Sequence, residues 1–426
     1  MTIDTIKNEL LGEKYYKINH PSGLTILVLT KPGYAGTSAM FSAKYGSIDT
    51  AIVDKNGDIR KIPEGTAHYL EHKLFESEDL DAFELFAKTG AYSNAFTSFD
   101  RTTYLFNCSA NFKENLKILL NFVQSPYFTE QTVRKEQGII GQEIRMYKDI
   151  PDWEIMFNLL SALFYEHPVK IDIAGTEESI SRITADILYD CYNNFYNLNN
   201  MVLAVAGNVT LEDVLDVADK ELKPSGGAPA KRVFVKESPV PIKKYVEEKL
   251  PVAVPQFLLG FKEDIKTPER SLKESLCTVL IHDVIMGRSS PLYKRMLEEE
   301  LINNGFSDEF FSGFGYACCM FGGESKDPQR AADEIRKEIA RVKKEGIDAA
   351  SFERVRKKMY GGLVMEFNDV EAITQNLIDS YMDNTGLFDE IGICRSLTVD
   401  DVNERLQNIL VDEYSALSVI IPVKGE

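Results

Sequence analysis

Hydrophobic positions in this 426-residue chain repeat with two different periods, and the changes between them divide it into elements. Segments rich in β-branched and aromatic residues at 15–33, 38–47 and 93–109, with the apolar run 201–206, predict strands. The turn Pro21-Ser22-Gly23 splits the first of these in two. Apolar residues at three- and four-residue spacing predict helices at 81–90, 111–123, 129–147, 151–164, 184–196 and 211–222. Between them, Asn56-Gly57 marks a turn inside an insertion at 49–61 that carries no identifiable chemistry. Residues 223–255 collect Pro, Gly and Lys and read as an exposed connection. The order of elements then repeats: a strand at 256–264, helices at 268–287 and 290–301, and a strand-rich stretch at 305–323. Helices at 328–346, 348–384 and 399–410 and a last strand at 416–423 follow. The pattern is that of an α+β protein with two like-ordered α/β domains, 1–225 and 251–426, joined by a linker at 226–250.

Length agrees, since 426 residues exceed one compact core and suit two domains of about 200 each. Hydrophobic residues make up 44% and charged residues 27%, the balance of an ordinary globular protein. The first sixteen residues carry early acidic groups and no apolar core, so they do not read as a secretory leader. No apolar run nears the ~18 residues of a membrane span. A cytoplasmic location is the expectation. Six cysteines without CxxC spacing do not form a disulfide framework and are expected to be reduced and buried. A net charge of −18, acidic in both halves, opposes nucleic acid and anionic membranes as partners.

The chemistry concentrates in His68-Tyr69-Leu70-Glu71-His72. On a helix, positions i and i+4 stack on one face, so His68 and His72 point two imidazoles at one spot, as two ligands of a tetrahedral zinc require. Glu71 lies beside them, within reach of a water on that metal. Pro63 suits the first turn of this helix, and Ala67, Leu70 and Leu74 form a face to bury. HxxEH is the inverzincin order, the mirror of HExxH. Two surface histidines would show the same spacing, so a third ligand is needed. The predicted helix at 129–147, with Val133, Ile140, Ile144 and Tyr147 at helical spacing, offers Glu136 and Glu143, seven apart and therefore on one side.

HYLEH with a Glu 71 residues after His72, itself preceded by a Glu seven residues earlier, resembles the pitrilysin family. Tyr45-Gly46-Ser47, the stretch 90–104, Gly175-Thr176 and the stretch 200–209 resemble further landmarks of that family. The resemblance implies mostly antiparallel sheets packed with helices, two such domains forming half of a clamshell. It implies that His68, His72 and Glu143 hold one zinc, that Glu71 is the general base and that Glu136 supports the site. It also implies that Asn94, Ala95, Phe96 and Thr97 form an open-edge strand that pairs with a peptide backbone. The implied activity is that of a zinc endopeptidase acting on extended or unfolded peptides.

Two other activities share part of this pattern. S-ribosylhomocysteine lyase carries HxxEH but takes a cysteine as third ligand, and no Cys lies near position 143. Non-catalytic core subunits of respiratory complexes resemble the family but lose the motif, which is complete here. Trp153 reads as packing, His167 as structural, and His282 as a core residue of an apolar helix. In active relatives the second domain resembles S-R-L-Y-x-x-L-R-E-x-x-G-L-x-Y, whose Arg and Tyr hold substrate. The matching run is Ser290-Pro291-Leu292-Tyr293-Lys294-Arg295-Met296-Leu297-Glu298, with Leu297 at the Arg position and Asn304 at the Tyr position. Registers through Arg295 or Arg288 put Ile302 or Arg295 at the Tyr place, leaving Arg295 and Tyr316 as the substitutes within the chain. The departure implies a heterodimer with a related chain that supplies the Arg/Tyr pair, with a homodimer as the alternative.

Overall fold

The computed structural model describes residues 1–53, 57–78, 81–224, 228 and 231–423. The chain forms two compact units: Met1–Ile144 with Asp172–Val233 and Val364–Phe388, and Arg145–Ile171 with Phe234–Leu363 and Asp389–Glu426. The sheet of the first unit contains β1 (Thr2–Asn8), β2 (Glu13–Asn19), β3 (Thr25–Thr30), β4 (Thr37–Ala43), β7 (Tyr92–Thr97), β8 (Thr102–Cys108) and β9 (Met201–Gly207). A separate two-stranded hairpin, β5 (Ala51–Val53) and β6 (Ile59–Lys61), lies in the 49–61 insertion. The turn expected there falls partly outside the described residues, at Asn56. In the first sheet the order is β1-β2-β3-β9-β4-β8-β7, and only β3 and β9 run parallel.

The sheet of the second unit holds β10 (Tyr245–Leu250), β11 (Gln256–Lys262), β12 (Ser307–Gly313), β13 (Tyr316–Glu324) and β14 (Ser415–Pro422), in the order β10-β14-β11-β13-β12. Here too a single pair, β10 with β14, is parallel. Strand for strand, this reproduces β3-β9-β4-β8-β7. The repeat of elements read along the sequence is therefore a repeat of topology.

Four features differ from the linear expectation. The linker at 226–250 ends in a sheet strand, β10. A strand, β1, precedes the first expected one; its Thr, Asp, Lys and Asn side chains leave little apolar signal. The helix expected over 348–384 is two helices, Ala349–Met365 and Val370–Met382. Asp369 starts the second by accepting the N–H groups of Glu371 and Ala372 at 2.8 and 3.1 Å. Finally, the units do not divide at the linker alone, because each half of the chain gives one helix to the other unit. β4 and β9 are buried at every residue, so both their faces need cover. Leu203 and Val205 face one core, while Val202, Ala204 and Ala206 alternate to the opposite face. The helix Val370–Met382 packs on β4 and β9. In return the helix Pro151–Leu163 packs on β10, β11 and β14. No helix among the described residues is long and apolar enough to cross a membrane.

The fold places α1 (Thr66–Leu74) by a backbone-to-backbone approach. Gly65, at φ 83°, begins the helix, and a Cβ there would sit 2.3 Å from the carbonyl oxygen of Ala174. Gly175 faces it: a Cβ there would meet the Glu64 oxygen at 2.7 Å. Pro63 consequently precedes the helix instead of opening its first turn, and its carbonyl accepts the Thr66 hydroxyl at 2.6 Å. Replacing Gly65 by Ala adds a left-handed non-glycine residue and a main-chain clash, together costing about 2–4 kcal/mol. Chemical denaturation of Gly65→Ala is expected to show that loss as a lower midpoint with an unchanged slope.

Candidate metal centre

α1 is buried along most of its length, at Thr66, Ala67, His68, Tyr69, Leu70, Lys73 and Leu74. Leu70 and Leu74 enter the core beneath the sheet, leaving His68, Glu71 and His72 for another face. The second helix of the site, α2 (Glu130–Lys148), lies against α1, with Val133, Ile140 and Ile144 turned inward. The Tyr69 hydroxyl donates to the Val133 carbonyl and fixes the two helices against each other. Sequence reasoning missed this bond. Its signal was a polar-tipped aromatic at a buried position inside the motif.

The docking brings Glu136 and Glu143 to the two imidazoles. Nε2 of His68 stands 3.7 Å and Nε2 of His72 3.4 Å from the same oxygen, Glu143 Oε2. The donor atoms of the three residues all lie within 4.8 Å of one another. A tetrahedral zinc with bonds of about 2.0–2.1 Å sets its donors about 3.4 Å apart, so this donor set fits that ion. On the far side of the His72 ring, Nδ1 is 3.0 Å from Glu136 Oε1. A carboxylate in that place holds the ring orientation and leaves Nε2 for a metal.

Electrostatics separate the two histidines. Burial, and next the neighbouring His72, lower His68 to about 4, so its imidazole is neutral. Burial also disfavours a charged His72, but hydrogen bonds from its ring to the Glu136 and Glu143 carboxylates outweigh it and raise His72 to about 10. Glu136 pays a burial penalty too, yet its bond to His72 brings it below the usual carboxylate value. Burial pushes Glu71 upward, opposed by hydrogen bonds from Thr97. One of these is the Thr97 hydroxyl, donating to Glu71 Oε2 at 2.6 Å.

Thr97 ends β7, which lies at the margin of its sheet and pairs on one side with β8. In the hairpin turn Ser98 N–H donates to the Arg101 carbonyl at 2.8 Å, so even-numbered residues of β7 turn their backbone groups toward β8. Ser93, Ala95 and Thr97 turn theirs outward. Asn94 folds its own Oδ1 onto the Ala95 N–H at 2.9 Å and gives Nδ2 to the Tyr92 hydroxyl at 3.2 Å. Phe96 is half-buried.

The other histidines have partners elsewhere. His20 bonds Ser22 and Asp219; His167 bonds the Phe314 carbonyl and the Val169 N–H; His282 stands 3.2 Å from Asp308. Trp153 stacks on Tyr147, their ring centroids 4.7 Å apart, and all six cysteines are free and buried. In the second unit Leu297 packs on the hydrophobic core, and Arg295 pairs with Glu334 at 2.8 Å. Asn304 is exposed, and Tyr316 is buried with its ring 5.0 Å from that of Phe311.

The chain is similar to known proteins in both of its halves. Residues 60–177 match Insulinase (Peptidase family M16), and residues 182–359 match the Peptidase M16 inactive domain. The chain is 40% identical over 421 residues to YmfH of Bacillus subtilis, named as an uncharacterized zinc protease, covering 97% of each chain. It is similar to a crystal structure described as an M16-like peptidase from Alicyclobacillus acidocaldarius, with a TM-score of 0.92, 32% identity and 99% of each chain covered. A protease from Helicobacter pylori shares the fold, with a TM-score of 0.84 at 19% identity, over 96% of this chain and 100% of that one. The chain belongs to the M16 peptidase family, the family of insulinase.

Proposed function

We propose that this chain is the metal-bearing subunit of a zinc-dependent endopeptidase of the inverzincin type. In this reading His68, His72 and Glu143 hold one zinc, and Glu71 is the general base. The observation that carries the reading is the convergence of two imidazole nitrogens on one carboxylate oxygen, with a half-buried Glu71 beside them. Zinc, when bound, supplies Lewis acidity, lowering the pKa of water toward ~7 and polarising a carbonyl. Glu71 then takes a proton from the attacking water and hands it to the departing amine, a role suited to a carboxylate whose affinity for protons burial has raised. Glu136 keeps His72 oriented through Nδ1. The outward backbone groups of β7 hold an extended peptide by main-chain pairing, with Asn94, Ala95 and Phe96 beside it. That mode selects unfolded segments over folded surfaces.

The second half completes the proposal. An apolar Leu297 cannot supply the charged hydrogen bonds that hold a developing oxyanion. Arg295 already serves Glu334 and Tyr316 is buried. The working enzyme is therefore a heterodimer with a related chain that lacks HxxEH and carries an Arg/Tyr pair.

Metal analysis of His72→Ala is expected to show loss of most bound zinc, since one of three protein ligands is gone. Glu71→Gln is expected to keep the zinc and lose about 10²–10⁴-fold in peptide turnover. A full equivalent of zinc in the first variant, or normal turnover in the second, contradicts the assignment.

Proton release gives an independent check. With His72 raised to about 10, its ring carries a proton at pH 7 that a metal must displace, whereas His68, lowered to about 4, is already neutral. Zinc binding at pH 7 should thus release about one proton, seen by calorimetry in buffers of different ionisation enthalpy. His72→Ala should abolish the release.

For the partner, peptidase assays of the chain alone and of an equimolar mixture with such a related chain are decisive. Slow cleavage alone and strong cleavage in the mixture are expected; full activity alone, unchanged by the partner, rules the shared site out.

A further inference from the structure

Thr97 stands on β7 beside the proposed base, and its hydroxyl donates to Glu71 Oε2 at 2.6 Å. We infer that Thr97 is a positioning residue for the general base. The inference rests on the proposed role of Glu71.

What surrounds Thr97 is built to hold it still. Thr97 and Thr102 form the last pair of the β7–β8 hairpin. The Thr102 hydroxyl is spent on the buried carbonyl of Tyr45 at 2.8 Å, so the proton of Thr97 is left for Glu71. Beyond the pair, Ser47 N–H and Ile48 N–H donate to the carbonyls of Ser98 and Phe99, both at 3.0 Å. Gly46 permits this approach, since a Cβ there would lie 2.5 Å from the main chain of Phe99 and Asp100. Arg232 grips Asp49 at 2.9 and 3.0 Å and also donates to the Asp100 carbonyl. Arg101 joins Asp100 to Asp379. Three separate segments of the first unit thus fix a turn one residue away from Thr97. A Glu side chain rotates freely unless its carboxylate is tied, and misplacing a reacting group by about 1 Å can cost about 10²-fold in rate.

The test uses the zinc-loaded full-length chain in whichever form cleaves, alone or with its partner. Thr97→Val, and Thr97→Ala should the first fold poorly, are expected to lower kcat by about 10- to 100-fold with KM and zinc content unchanged. Thr97→Ser should recover most of that loss. In a Glu71→Gln background, Thr97→Val should add no further loss, because it acts through Glu71. In that same background the affinity for an extended fluorescent peptide should not change. Weaker peptide binding would make Thr97 a substrate contact, and an unchanged kcat in Thr97→Val would remove the positioning role; either result overturns the inference. Failure of the underlying reading looks different, because Glu71→Gln would then turn over peptide normally.

Discussion

Everything at this centre depends on α1 being held closer to its neighbours than side chains would allow. At Gly65 and Gly175 two stretches of main chain meet without a Cβ between them. A few residues on, the Tyr69 hydroxyl reaches the Val133 carbonyl. The first contact sets where the helix begins and therefore which way His68, Glu71 and His72 project. The second sets its distance from α2. Neither interaction carries chemistry, yet a shift in either would separate three donor atoms that now lie within 4.8 Å.

The local half of the centre was legible in the sequence because helical spacing is a local property. His68 and His72 share a face for the same reason that Glu136 and Glu143 do, and no tertiary information is needed to see it. That Glu143 meets the imidazoles while Glu136 stands behind one of them was not derivable from spacing, since both lie on the same side of α2. It entered through resemblance, and the distances to His68 and His72 now give it a geometric basis. The attachment of Thr97 to Glu71 joins positions 26 apart through a hairpin and a turn, and no periodicity records it.

At the level of the fold, the repeat of elements was readable and the allocation of helices was not. An amphipathic pattern reports that a helix has an apolar face, but not which sheet that face covers. The residues of Val370–Met382 look alike whether they pack on β9 or on β14. The one local mark of the exchange was Asp369, a good N-cap in the middle of an apolar repeat that runs on through Leu363, Val364, Phe367 and Val370. Strand β1 escaped because its side chains are mostly polar, and its pairing with β2 rests on the backbone.

The exchanged helices also bear on how the chain comes off the ribosome. Residues 1–233 contain every strand of the first sheet, but the helix that covers the second face of β4 and β9 ends at Met382. During synthesis at about 5–20 residues per second, that apolar face waits many seconds for its cover. In the meantime it is the kind of surface on which nascent chains aggregate or recruit chaperones. The first unit begins first and is finished almost last, so its sheet cannot be covered on both faces before most of the second unit has been made.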